Sequence, residues 1–261
     1  MGKRFEWTKE LEAKVLELRD EKKMTYREIA EILGTTISSV KHKYIRLNQA
    51  ANDERHHHPV EKIDQLHRVL GDDLRFAVGA PFILETNAGY GNLTKEYTKY
   101  GIVYAFDIDK ERVNYLHSLN NNRIVPKKCD SHHELHNEVY LKNNYEVVDL
   151  DPYGFPSRYF PHVFQLIEDG YLFVTFPKMG VQQINKITKE HYRVFWGMTL
   201  DDKVRQEELI HKKIKDYGFM SFRSVELVDS VDLGRMFRFA YKVKKESALD
   251  LVDLKVKGVR E

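Results

Sequence analysis

Apolar residues recur at helical spacing through the first 48 residues. Leu11, Val15, Leu16 and Leu18 give a broad apolar side to a helix over about Thr8–Arg19. Thr25 followed by Glu28 has the spacing of a capping box, in which each side chain satisfies the other's backbone N–H. It opens a second helix carrying Ile29, Ala30, Ile32 and Leu33, which stops at Gly34. A third is predicted from Thr36, with Ile37, Val40, Tyr44 and Leu47 along one side. Residues 1–48 therefore read as a small three-helix domain, and the polar stretch 49–61, with three histidines and Pro59, as a linker.

From Lys62 the pattern changes. Ile63, Leu66, Val69 and Leu70 mark a helix to about Arg75. Short apolar strands follow at Phe82–Leu84, Val103–Phe106, Ile124–Cys129, Val147–Leu150 and Tyr171–Phe176, separated by helical or loop stretches. That alternation predicts a parallel sheet covered by helices. Phe222–Leu227 and Met236–Val243 read as two further strands joined through Asp232–Gly234, which adds an antiparallel strand at the C-terminal side. The α/β domain spans 62–245. The segment 246–261 is a charged tail in which Leu249–Leu254 has the pattern of a short helix.

Composition sets limits. A 261-residue chain with 42% hydrophobic residues supplies a core for one full α/β domain plus a small module. No apolar run approaches the ~20 residues of a membrane span, and no apolar segment follows the basic N-terminus as a secretory signal requires. The single cysteine, Cys129, excludes an internal disulfide framework, so a cytoplasmic location is expected. Net charge is +2, so any nucleic-acid surface must be local.

The first strand runs into Glu85-Thr86-Asn87-Ala88-Gly89-Tyr90-Gly91, a turn leading to a helix. Glycines there let the backbone approach a ligand closely and adopt positive φ. Asp107 ends the second strand, where an acid can bind a ribose diol, and Asp130 follows the third. In this order the three patches resemble the class I S-adenosylmethionine-dependent methyltransferases, with their Rossmann-like sheet. The resemblance implies S-adenosylmethionine as cofactor. Gly89 and Gly91 would pass its methionine part within the turn that includes Asn87, Glu85 would hold its amino group, Asp107 its ribose and Asp130 its adenine. A nicotinamide-binding oxidoreductase competes, but its Gly-x-Gly-x-x-Gly turn would need glycine at Thr94.

After the fourth strand comes Asp149-Leu150-Asp151-Pro152-Tyr153-Gly154-Phe155-Pro156. An acid, a proline and an aromatic at this strand end resemble the amino-methyltransferases of nucleic-acid bases. The acid accepts the hydrogens of an exocyclic amine while the aromatic stacks on the extruded base. Asp151, directly before Pro152, is the expected acceptor, and either Tyr153 or Phe155 the stacking residue. The wording is similar to the tRNA guanine-N2 dimethyltransferases, apart from Phe155 in place of their serine. It is less like the Asp-Pro-Pro-Tyr of DNA adenine enzymes.

Tyr26–Ile45 resembles the helix-turn-helix of bacterial regulators and sigma-factor-like proteins, with Trp7-Thr8 similar to Myb-like modules. Ser38, Ser39, Lys41, His42, Lys43 and Arg46 are expected on the outward side of the third helix, with no acid between Thr35 and Asn48. Such a face suits phosphates and base edges in a major groove. Neither His56–His58 nor His132, His133 and His136 completes a zinc pattern, so no metal is expected. Basic and aromatic residues interleave from Lys186 to Trp196, which fits either a substrate-facing lid or a helix packing Ile187, Val194 and Phe195 inward. The sequence thus predicts a nucleic-acid N-methyltransferase, with DNA favoured as the polymer by the attached basic helix. An RNA guanine-N2 methyltransferase and a cofactor-sensing DNA-binding regulator are the alternatives.

Overall fold

The computed structural model describes residues 5, 7–44, 47, 58–152, 154–178, 190, 192–194 and 196–247. The chain forms two compact units, Met1–His58 and Pro59–Glu261.

In the first unit, α1 (Lys9–Leu16) is capped by the Thr8 hydroxyl and runs on into a π turn, Glu17–Glu21. α2 (Tyr26–Leu33) opens on the expected capping box, Thr25 N donating to Glu28 Oε2 at 2.7 Å. It closes at Gly34, whose φ of 65° lies in the left-handed region that glycine adopts without a Cβ penalty. Residues 37–44 form α3. Val15, Leu18, Ile29, Ala30 and Val40 make the core, with Trp7, Met24, Tyr26, Leu33 and Tyr44 around it. Ile32 and Ile37, expected on the apolar sides, are instead half exposed. Ile29, Ala30 and Leu33 set the inner face of α2, and Val40 supplies the buried contact of α3. So small a core takes no more.

The second unit opens with α4 (Pro59–Gly71) and the short α5 (Leu74–Val78), where one helix over 62–75 was expected. Asp73 interrupts it by capping α5, accepting from Arg75 N at 3.1 Å. There follow β1 (Phe82–Thr86), α6 (Asn92–Tyr97), β2 (Ile102–Asp107), α7 (Lys110–Ser118), β3 (Ile124–Lys128), α8 (Ser131–Tyr140) and β4 (Val147–Leu150). After a 3-10 turn, Pro156–Tyr159, come α9 (Phe160–Val163), β5 (Asp169–Pro177), α10 (Gln206–Met220), β6 (Arg223–Asp232) and β7 (Met236–Lys245). The seven strands form one sheet in the order β3-β2-β1-β4-β5-β7-β6. β1 to β5 are parallel, and β7 runs antiparallel between β5 and β6.

Alternation along the strands sends side chains to two cores. Ile83, Val103, Ala105, Val147, Tyr171, Phe173 and Ala240 meet Leu66 and Leu70 of α4 and Leu93 and Tyr97 of α6. On the other face Leu84, Phe106, Val148, Leu150, Leu172, Val174 and Phe239 meet Leu135 of α8, Phe160 of α9, and Ile210 and Ile214 of α10. Chain order reverses between the adjacent strands β1 and β4, and at such a switch point a crevice opens beyond the carboxyl ends of the strands.

Candidate functional site

Glu85, Asn87, Gly89, Gly91, Asp107, Asp130 and Asp151 all lie at or just beyond the carboxyl ends of β1 to β4. In the β1–α6 turn, Asn87, Gly89 and Gly91 have φ of 64°, 58° and 72°. The two glycines differ in their surroundings. A Cβ on Gly91 would sit 2.5 Å from Leu116 Cδ2 and 3.3 Å from Thr94 Oγ1, whereas one on Gly89 would meet nothing within 4 Å. Asp107 is fixed by the turn itself: its carboxylate accepts from Gly89 N and Asp109 N, both at 2.8 Å. A carboxylate takes about four hydrogen bonds, so capacity for a diol remains. Asp130 is exposed and caps α8, accepting from His132 N at 2.9 Å through one oxygen.

Behind the turn lies a row of buried polar groups. Glu85 on β1 is in register with Asp149 on β4, so their side chains share one sheet face. Arg238 on β7 reaches Asp149 with both guanidinium arms, at 2.6 and 3.1 Å, and neither side chain has any exposed surface. Tyr97 donates to Asp149 at 2.7 Å, and Arg238 also donates to Thr175 at 3.1 Å. Burial and the Asp149 charge raise the Tyr97 hydroxyl well above its ordinary pKa. Burial and the neighbouring Asp149 likewise raise the Glu85 carboxyl well above the usual range, against a 2.5 Å hydrogen bond from Thr94.

Asp151 stands at the rim of this row, its side chain 22% exposed, in an ion pair with the buried ammonium of Lys62 from α4. Burial alone would raise its pKa. Lys62 and Arg238 outweigh that and, with a hydrogen bond from Thr175, lower it to about 2. Pro152 is partly exposed beside it, while Tyr153 lies outside the described residues. Phe155 turns inward, its ring 4.7 Å from Tyr192 and 5.8 Å from both Phe176 and Trp196. Its side chain therefore belongs to the core and is not presented to a base.

Three carboxylates, Glu85, Asp149 and Asp151, thus face two fixed cations, Arg238 and Lys62. Burial favours a neutral Glu85, which leaves Asp149 and Asp151 balanced by Arg238 and Lys62, and a ligand ammonium beside Glu85 would draw it into its charged form. Asn87 points the same way: its buried Oδ1 has no partner among the described residues. The open space at Gly89, that orphaned acceptor and a buried carboxyl that an ammonium would ionise fit S-adenosylmethionine.

Lys62, Thr175 and Arg238 escaped the sequence reading, although a signal for two of them exists. Lys62 falls on the α4 stripe of Leu66 and Leu70, and Arg238 alternates inward with Ala240, so each is a charge written into an apolar face. Of the stretch from Lys186 to Trp196, Lys186, Ile187, Lys189, His191 and Phe195 lie outside the described residues. Tyr192 and Trp196 are buried, and Arg193 is exposed and paired with Glu190. Leu249–Leu254 also lies outside the described residues, and among those described no group of three acids, histidines or cysteines is placed to hold a metal.

On α3 the expected outward face divides. Ser38, Lys41 and His42 are exposed, and Arg46 lies outside the described residues. Ser39 accepts from Trp7 Nε1 at 3.3 Å, and Lys43 pairs with Glu12 at 2.6 Å above the Trp7 ring. These two side chains are turned toward the body of the unit, because Trp7 and α1 close over that flank of α3.

The sequence model of the N2,N2-dimethylguanosine tRNA methyltransferase family matches residues 92–214, and that of sigma-70, region 4, matches residues 9–46. No match to a curated protein sequence reaches significance. Among solved structures, Trm1 from Pyrococcus horikoshii in complex with S-adenosyl-L-methionine is similar over 75% of this chain and 57% of its own, at 15% identity and a TM-score of 0.56. This chain spans little more than half the length of that protein. The plantazolicin methyltransferase BpumL in complex with SAH is similar over 91% of this chain and 100% of its own, at 12% identity and a TM-score of 0.50. The sheet order, the β1–α6 turn and these likenesses converge: the unit beginning at Pro59 has the class I S-adenosylmethionine-dependent methyltransferase fold, preceded by a helical unit similar to sigma-70 region 4.

Proposed function

We propose that the protein methylates an exocyclic amino group of a nucleic-acid base, guanine N2 in RNA being the best-supported target. The observation that carries this reading is Asp149-Leu150-Asp151-Pro152-Tyr153-Gly154. It lies inside the span matched by the tRNA guanine family, with Asp151 ionised at the mouth of a site that fits the cofactor. The polymer favoured by the sequence alone was DNA. The family match shifts that preference to RNA, and the exposed Ser38, Lys41 and His42 on α3 keep duplex DNA as the second reading.

When bound, S-adenosylmethionine supplies an electrophilic methyl group on sulfur, and the C–S electron pair stays with sulfur on transfer. Glu85 would hold its ammonium and Asp107 its ribose; the amide of Asn87, the turn around Gly89 and Gly91, and Asp130 would line the remainder. Asp151 accepts hydrogens of the target amine, which keeps the nitrogen lone pair directed at the methyl group. The new N–C bond leaves one surplus proton on nitrogen. Asp151 is the nearest acceptor and, with a pKa of about 2, passes that proton on to water. With Phe155 in the core, Tyr153 is the residue proposed to stack on the base.

The test is incubation with methyl-labelled cofactor and separate DNA and RNA pools, followed by nucleoside mass spectrometry. Label in N2-methylguanosine from RNA is the expected result. Label confined to DNA would replace the polymer, and label in neither, despite cofactor binding, would move the protein to a cofactor-sensing regulator.

A further inference from the structure

Asp149 on β4 and Asp151 just past its end are each held by a cation from far along the chain, but the two pairs differ in kind. Asp149 and Arg238 are wholly enclosed, so that pair belongs to the framework. In the other pair only the cation is enclosed: the Lys62 side chain is 3% exposed and that of Asp151 22%. The ammonium sits behind the carboxylate and the carboxylate faces the crevice. Lysine is almost never this buried unless paired, and an ion pair in an interior adds little stability over apolar residues of the same size. Stability is therefore a weak reason for Lys62 to stand on a stripe otherwise filled by Leu66 and Leu70.

α4 aims a second polar group at the same place. Gln65, fully buried, donates to the backbone carbonyl of Arg238 at 3.3 Å. One face of α4 thus braces both cation–acid pairs of the β4 end. Lys62 lies outside the span 92–214 matched by the tRNA guanine family, so that likeness assigns it nothing.

Building on the methyl-transfer reading above, we propose that Lys62 is a positioning residue of this site: its ammonium keeps the Asp151 carboxylate charged and turned so that its remaining lone pairs meet the target amine. A protonated Asp151 would present an O–H to the amine and lose an acceptor. Lys62 uses one of about four acceptor sites on the carboxylate, which leaves room for both amine hydrogens. Lys62 itself, enclosed behind Asp151, does not touch the base.

Two measurements on the full chain test this. Carbon-13 NMR of protein labelled at aspartate carboxyls follows the ionisation of Asp151, its signal assigned by its loss in Asp151→Asn. In Lys62→Met the midpoint of Asp151 should rise by about 1–3 pH units. Turnover of the same variant should gain an acid limb falling about tenfold per pH unit below that new midpoint. In the parent the same limb should begin only below pH ~2, and Lys62→Arg should restore that parental profile. Cofactor affinity should stay within about threefold, which separates a positioning role from a collapsed site. An Asp151 midpoint unmoved by Lys62→Met, or a moved midpoint with parental turnover and pH profile, overturns the proposal. A parent that methylates no nucleic acid overturns the reaction it rests on, and the NMR titration then still reports whether the pair holds.

Discussion

Which of the two acids at the β4 end is open to a ligand is decided by what surrounds them. Asp149 has its oxygens taken by both arms of Arg238 and by Tyr97, with no surface open to a ligand. Asp149→Ala should therefore act on the fold, because it leaves a guanidinium buried without its partner. A loss of about 3–5 kcal/mol in urea unfolding is expected. Asp151→Ala should act on the reaction: scored per mole of cofactor-binding protein, turnover should drop roughly 10²-fold or more, with cofactor affinity nearly unchanged. Full turnover in that variant would discard Asp151 as the acceptor. The Asp-x-Asp-Pro wording was legible because the acids lie two residues apart. Their partners were not, since Lys62 and Arg238 each stand 89 residues from their acid and only the closed sheet brings them there.

The β1–α6 turn is where local sequence and ligand binding meet most closely. Its two glycines were both expected to serve the cofactor, and the structure separates them by the room a Cβ would have. Gly91 is bound by packing, since any Cβ strikes Leu116 and Thr94 at a φ of 72°. Gly91→Ala should cost about 1–3 kcal/mol in a thermal melt without any ligand. Gly89→Val should cost only the strain of a left-handed residue, about 1–2 kcal/mol, yet abolish the upward shift in Tm on adding S-adenosylmethionine. Equal loss of the ligand shift in both variants, at parental stability, would contradict this division. At this scale the strands were the most legible part. Their apolar runs are short and bounded, although the ends of β5, β6 and β7 extend beyond the expected limits, where antiparallel pairing continues past the apolar residues. The split of the first helix of the second unit into α4 and α5 was missed because its cause is one capping aspartate, Asp73, inside an otherwise periodic pattern.

Across the whole molecule the two family likenesses never overlap: one lies within 9–46, the other within 92–214, and the boundary between compact units falls between them at His58. The sheet unit carries the acids, cations and glycines proposed for the reaction, and the helical unit carries none of them. Its contribution is therefore expected in how the protein finds its polymer, through added local concentration. The division of α3 leaves a limited set of side chains free for this proposed role. Lys43 and Ser39 are engaged by Glu12 and Trp7, which leaves Lys41 and His42 as the exposed basic residues described on that helix. In the full chain, Lys41→Ala should weaken nucleic-acid binding and lower the slope of log affinity against log salt by about 1, the mark of one lost phosphate contact. Lys43→Ala should leave that slope near the parental value and instead lower the stability of the helical unit by up to ~1 kcal/mol, through its half-buried ion pair. Cofactor affinity should not change in either variant. If Lys43→Ala flattened the salt dependence while Lys41→Ala did not, the groove-facing side of α3 would be the one assigned here to the interior. If neither did, the helical unit would recognise something other than a phosphate backbone.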